Sequence, residues 1–242
     1  MEKFTYSDAI EKVMLENNYI APLKLIYKEI WKYKDNNKLK GKTPENTIQE
    51  RVQRDPKFTK IGLGVYALTE FLDKIKSEKE EFQRNSDIKT TKHSEIQGKL
   101  IEIGNYKKDI ENTYTNDKSH YFNEKKLGSI ITMNEVPKFT FEKILSETVR
   151  FFDVIWFNER NFPDTVFEVE HSTNFRDALV KFSELQYFTT RFYCVAEEDR
   201  KVKFEKELNK SAFSRVRDRV KFYSYEQVDS DYDLTLKKGF LL

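Results

Sequence analysis

Along the first third of the chain apolar residues recur at helical spacing. "TYSDAIEKVMLENNY" (5–19) follows a polar cap with Ala9, Ile10, Val13 and Met14, the stripe of an amphipathic helix. "APLKLIYKEIWKYKD" (21–35) turns Leu25, Ile26 and Ile30 inward and its lysines outward, which predicts a second. In "TPENTIQERVQRD" (43–55) Thr43 suits an N-cap, Pro44 the first helical position, and Ile48 and Val52 a narrow apolar stripe; Asp55-Pro56 ends this third helix. "KFTKIGLGVYALTE" (57–70) reads as two short strands around Gly62 and Gly64. Three helices followed by a hairpin compose a winged helix.

Residues 71–92, "FLDKIKSEKEEFQRNSDIKTTK", are charge-mixed with little apolar periodicity and read as a linker, with a partly helical one as the open alternative. Beyond it the pattern alternates between periods. "SEIQGKLIEIGNY" (94–106) is helical, with Gly104 as its terminator, and "DIENTYTNDKS" (109–119) holds a short strand. "FTFEKILSETV" (139–149) fits helix or strand. "RFFDVIWF" (150–157) and "TVFEVEHS" (165–172) are strands joined by the polar loop "NERNFPD". A helix (174–188), the strand "RFYCVA" (191–196), a helix (202–218) and a closing strand "VKFYSYE" (220–226) complete the run. The fold class is α/β and multi-domain: a winged helix over 1–72, a charged linker over 73–92, and over 93–242 a domain whose sheet is covered on both faces.

That cover gives the acids their interest. Asp153 interrupts an otherwise apolar strand, and Glu168 and Glu170 stand two apart on the next, hence on one face. Antiparallel pairing of the two strands brings Asp153 to Glu168. A buried carboxylate costs several kcal/mol unless a charge compensates it. Mg²⁺, with Mn²⁺ as a substitute, takes such oxygen ligands, and metal-assisted phosphodiester hydrolysis needs such an ion. A buried ion pair with Arg or Lys is the structural alternative. His171 follows the second strand at once, and Lys181, in the next helix, is able to supply positive charge or simply to lie in solvent.

The polar side of the third helix carries Asn46, Thr47, Gln49, Glu50, Arg51 and Arg54, and Lys42, Thr43, Lys57 and Lys60 flank them. These types read base edges or hold phosphates of double-stranded DNA, although a winged helix used for protein contacts would present the same solvated face.

Composition adds exclusions. Of 242 residues, 38% are hydrophobic and 14% aromatic, enough for a core, and the formal charge of +2 demands that any nucleic-acid surface concentrate its cations locally. A single cysteine, Cys194, excludes an internal disulfide and a multi-cysteine zinc site. No run approaches the roughly 18 apolar residues of a membrane span and the N-terminus lacks a signal-peptide core, so a cytoplasmic protein without a membrane partner is expected. No Walker-type loop occurs, which argues against an NTP-driven motor.

Two resemblances refine this reading. "TYSDAIEKVMLENNYIAPLKLIYKEIW", "GKTPENTIQERVQRDPKF" and "GLGVYAL" resemble the HARE-HTH domain, a winged-helix family taken to bind DNA. "HSEIQGKLIEIG", Asp153 in "FFDVIWF", and Glu168 and Glu170 in "FEVEHST" resemble the PD-(D/E)XK nuclease superfamily, the restriction-endonuclease-like fold with a mixed central sheet. That resemblance implies Asp153 and Glu168 as metal ligands, Glu170 where the superfamily usually has a water-activating Lys, and Glu95 as an acid near a second metal; Gln97 and His171 lie beside these positions. The combination implies a Mg²⁺-dependent Type II restriction endonuclease, cutting a short distance from an asymmetric site. It would pair with a second copy at least transiently for double-strand cleavage, and with a cognate DNA methyltransferase. The alternatives are a non-catalytic DNA-binding regulator with a degenerate nuclease domain, for which Glu170 in place of Lys speaks, and a repair or methylation-dependent nuclease.

Overall fold

The computed structural model describes residues 4–34, 44–84, 88–171 and 174–239. The chain opens with helix α1 (Tyr6–Glu16), whose Thr5 and Asp8 exchange side chain and backbone bonds in a capping box. A short strand β1 (Ile20–Pro22), helices α2 (Leu23–Glu29) and α3 (Pro44–Arg54), and strands β2 (Phe58–Gly62) and β3 (Val65–Leu68) follow. β1 was not apparent from three residues of sequence; it forms because Asn18 and Tyr19 adopt positive φ and turn Ile20 back along β3, giving an antiparallel sheet of order β1-β3-β2. Ile10, Met14, Ile26, Ile30, Ile48 and Val52 close its core, each contributing about 1.5–3 kcal/mol by burial.

Within the stretch read as a charged linker over 73–92, the described residues are helical. They comprise most of α4 (Leu72–Arg84) and the first turn of α5 (Ile88–Tyr106). Among the charges of α4, Ile75 is buried and packs with Phe71 and Leu72 against the main core, a stripe too narrow to stand out in sequence. Gly104 does not end its helix either: α5 runs on through Tyr106, and the glycine instead makes room for Trp156, whose Nε1 would lie 2.4 Å from a Cβ there and donates to the Leu100 carbonyl.

Next come β4 (Asn112–Tyr114), a small hairpin of β5 (Tyr121–Phe122) and β6 (Lys125–Lys126), α6 (Leu127–Ile130) and α7 (Glu142–Glu147), which resolves the helix-or-strand stretch as helix. The chain continues with β7 (Val154–Phe157), β8 (Pro163–Val169), α8 (Arg176–Glu184), β9 (Arg191–Ala196), α9 (Lys201–Leu208) and β10 (Val220–Ser224). The helix expected over 202–218 is shorter, giving way to two 3-10 turns. The closing strand leads into α10 (Tyr225–Gly239), which the sequence reading missed: its buried Tyr225, Val228 and Tyr232 face the core with Leu236 beside them, and most of the intervening residues are polar.

Among the described residues five strands form a mixed sheet of order β10-β9-β8-β7-β4, parallel across β10, β9 and β8 and antiparallel from β8 to β4. Its strands alternate between two apolar layers. Val154, Trp156 and Phe167 join the layer of α5 and α10, while Ile155, Phe157 and Val166 join that of α8 and α9. The first layer also takes in Ile20, Leu63, Val65 and Ala67, so the N-terminal sheet and the large sheet share one core. At this seam Glu102 and Lys125, both wholly buried, form an ion pair of 2.8 Å.

Candidate functional site

The antiparallel register of β7 and β8 pairs Val154 with Phe167, which sets Asp153 opposite Glu168 at the end of the strands. Both are buried, at 8% and 4% exposure. The backbone orients them: Asp153 Oδ2 accepts from Val169 N at 2.7 Å, Glu168 Oε1 from Asp153 N at 3.3 Å, and Thr115 Oγ1 donates to the Asp153 carbonyl at 2.6 Å. Glu168 has the parity of Val166 and faces α8, where Lys181 Nζ lies 2.7 Å from its Oε2 and also donates to the Phe151 carbonyl. Lys181 is thus anchored to the acids rather than solvated. Burial, then the charge of Asp153, push the Glu168 carboxyl well above its usual range, and Lys181 only partly opposes them.

On the other side of Asp153, the first turns of α5 present His93. Its Nε2 lies 3.2 Å from Asp153 Oδ2, and its Nδ1 3.8 Å from Asp117 Oδ2 in the loop after β4. Burial disfavours the charged ring, but the hydrogen bond to Asp153 and the charges of Asp153, Asp117 and Glu170 outweigh it, so the His93 pKa is raised. His93, Asp117 and Asp153 each offer a ligand atom within 4.8 Å of the others, a group able to hold a metal ion. Gln97, wholly buried one turn along α5, donates from Nε2 to Asp117 Oδ2 at 2.8 Å. The sequence reading did not bring His93 and Asp117 together: no local spacing joins a helix residue to a loop 24 positions away, and only the packing of α5 does so.

Glu170 differs from the expected strand pair. β8 ends at Val169, so Glu170 lies just past it, half-buried, with its N donating to the Val195 carbonyl and its own carbonyl accepting from Arg200 and Tyr225. Its charge still acts on Glu168, His93 and Lys181. His171 meets the Tyr225 hydroxyl at 3.0 Å and the edge of the His93 ring; burial, with His93 and Arg200 nearby, lowers its pKa to about 4. Glu95 is drawn elsewhere, pairing with Lys99 and Lys92 on α5, and Lys99 in turn holds Asp229 of α10.

On α3, Asn46, Thr47, Glu50, Arg51 and Arg54 are exposed and Gln49 is half-buried. Arg54 pairs with Glu50, and Lys57 is engaged by Glu11 and Asp8 of α1; Lys60 is exposed on β2. Lys42 and Thr43 lie outside the described residues.

Comparison with known proteins bears on this arrangement. Residues 74–240 match the family described as the Type II restriction enzyme NmeDI C-terminal domain, a match that begins inside α4 and contains every residue of the acidic site. The chain is 28% identical over 134 residues to the Type II restriction enzyme NmeDI of Neisseria meningitidis serogroup C. That alignment covers 51% of this chain and 37% of the relative, so the chain matches little more than a third of its relative's length. No solved structure matches. No helix among the described residues is long and apolar enough to cross a membrane.

Proposed function

Since the chain belongs to the family of the Type II restriction enzyme NmeDI C-terminal domain, we propose that it is a sequence-specific, Mg²⁺-dependent DNA endonuclease of the PD-(D/E)XK type, with residues 1–72 as a winged helix of the HARE-HTH kind that reads double-stranded DNA. The observation that carries this reading is the buried, aligned pair Asp153 and Glu168, whose charge Lys181 meets only in part. Two carboxylates from neighbouring strand ends are a donor set that fits a hard divalent cation, which when bound supplies Lewis-acid charge to the phosphoryl and leaving oxygens.

The protein's own groups supply the rest. Asp153 and Glu168 would hold the cation, their orientation set by Val169 N and Asp153 N. Lys181 replaces the lysine that the motif usually carries at the position of Glu170: its ammonium arrives from α8 instead of the strand and offers positive charge to a phosphate beside Glu168. Glu170 would accept the proton of the attacking water as the water oxygen bonds to phosphorus and the P–O bond to the leaving oxygen breaks, the leaving alkoxide taking a proton from solvent; the charge of Glu170, past the strand end, acts on both Lys181 and His93. Exposed Asn46, Thr47, Arg51 and Arg54 would meet base edges and phosphates, with Gln49, Lys57 and Lys60 at the margin. A chain with one such site cuts one strand at a time, so double-strand cleavage calls for a second copy at least transiently, and a methyltransferase would protect host DNA.

Digestion of sequenced plasmids with purified protein and Mg²⁺, beside an Asp153→Ala control, tests this. The expected result is discrete ends at a constant offset from one shared motif, with at least about a thousand-fold less product in the control. Intact plasmids from methylated and unmethylated sources, with duplex binding retained, would replace it with the regulator; product only on methylated DNA would identify a methylation-dependent nuclease.

A further inference from the structure

Asp153 stands between two sets of partners. Glu168 and Lys181 lie on the α8 side, and His93 and Asp117 lie on the α5 side. On the second side the two aspartates converge on one imidazole, with Asp117 Oδ2 and Asp153 Oδ2 each facing a different ring nitrogen. The cluster sets two carboxylates against one imidazole, while the Lys181 ammonium lies on the far side of Asp153, paired with Glu168.

Geometry matches the chemistry. Donor atoms around a six-coordinate dication stand about 3 Å apart when adjacent and about 4 Å when opposite; those of His93, Asp117 and Asp153 lie within 4.8 Å of one another. Small rotations of the half-buried His93 and Asp117 side chains toward the fixed Asp153 close that difference. A second feature lies around the same Asp117, where two neighbouring side chains have unmet polar atoms. Gln97 is wholly buried, its amide nitrogen is spent on Asp117 Oδ2, and the Oε1 of that amide has no hydrogen-bond partner. His120 Nδ1, 3.6 Å from Asp117 Oδ1, is likewise buried without one. Orphaned buried acceptors cost about 1–3 kcal/mol unless a ligand or its hydration meets them. Gln97 holds Asp117 as an outer-shell partner holds a metal-ligating carboxylate.

We propose that His93, Asp117 and Asp153 form a second cation position, of mixed nitrogen and oxygen donors, that takes a transition-metal dication such as Mn²⁺ in preference to Mg²⁺. The imidazole sets the preference, because Mg²⁺ favours oxygen ligands alone whereas nitrogen donors raise affinity along the transition series. The Asp153 and Glu168 position, all oxygen, keeps the preference for Mg²⁺. This deepens the nuclease reading by separating two metal preferences within one site, yet its readout does not depend on cleavage.

The test is a Mn²⁺ titration of the full-length protein in excess Mg²⁺, followed by the electron paramagnetic resonance signal of free Mn²⁺, for the native chain, His93→Gln and Asp117→Asn, with thermal unfolding as a folding control. One Mn²⁺ per native chain should resist Mg²⁺, and each variant should weaken it by about 10 to 100-fold. The broadening of the His93 ring protons by Mn²⁺ should be strong in the native chain and much reduced in Asp117→Asn. Mn²⁺ binding unchanged in both folded variants, or complete displacement by Mg²⁺ in the native chain, would overturn the proposal. Mg²⁺-dependent cleavage without His93-dependent Mn²⁺ binding would sink this position alone; His93-dependent binding without cleavage on any DNA would keep it and sink the nuclease reading.

Discussion

Two buried glutamates, Glu102 at the seam between the sheets and Glu168 at the strand ends, show how the same residue serves opposite ends. Glu102 is wholly enclosed and has a cation of its own: Lys125 Nζ stands 2.8 Å from its Oε1, while Leu63 N at 3.0 Å and the Tyr232 hydroxyl at 2.6 Å donate to its Oε2, and Lys125 also donates to the Ile61 carbonyl at 3.1 Å. Gly62 completes the closure, because a Cβ there would come within 2.5 Å of Glu102 Oε1 and 2.6 Å of Lys125 Nζ. Glu168 has one cation, shares it with Asp153, and lies where Lys181, His93 and Asp117 keep partly exposed side chains. A buried acid with its own cation fixes how two units meet. A buried acid beside another acid, among partly exposed side chains, is a place where a further cation can supply charge.

The largest effect should come from breaking the seam. Lys125→Met leaves Glu102 charged and unpaired, and urea unfolding should lose about 3–5 kcal/mol, most of it recovered in Lys125→Met with Glu102→Leu. A loss no greater than that of a surface pair would erase the distinction between the two regions.

At the strand ends the sign should reverse. The folded-state pKa of Glu168 is raised above its unfolded value, so the native chain loses stability as pH climbs from the ordinary carboxylate range through the raised value. Glu168→Gln, measured in EDTA, should therefore raise the unfolding midpoint at pH 8 by the equivalent of about 1 kcal/mol, with the gain fading as pH falls toward 4. A drop in midpoint at pH 8 would mean that Lys181 compensates Glu168 as fully as Lys125 does Glu102.

The smallest effect belongs to a pair that burial does not touch. Arg54 and Glu50 are exposed, at 77% and 58% for their side chains, and Arg54→Ala should change stability by less than about 0.5 kcal/mol. Duplex affinity should fall and its salt dependence weaken by about one unit of slope, both read from binding titrations at several salt concentrations.

Periodicity carried α1, α3, β7, β8 and β9, the helices through a regular apolar stripe with clear caps and the strands through apolar runs broken by few polar residues. It failed at β1, which is three residues held by a turn, at α4, where Ile75 sits among charges, and at α10, where Val228 and Tyr232 are buried in a polar helix. In each case the fold supplies a partner surface that the segment's own pattern does not announce.

The pairing of Asp153 with Glu168 was contained in the chain itself, since two strands joined by a short loop pair antiparallel and the residues' positions dictate their register. The approach of His93, Asp117, Gln97 and Lys181 was decided by tertiary structure alone. So was the pairing of Glu102 with Lys125. These side chains come from helices, a loop and a hairpin whose mutual placement follows from burying apolar faces on opposite sides of the sheet, and that burial is non-directional in sequence. Local pattern states which face of an element is buried; which charged group then meets which is settled only when the faces have packed.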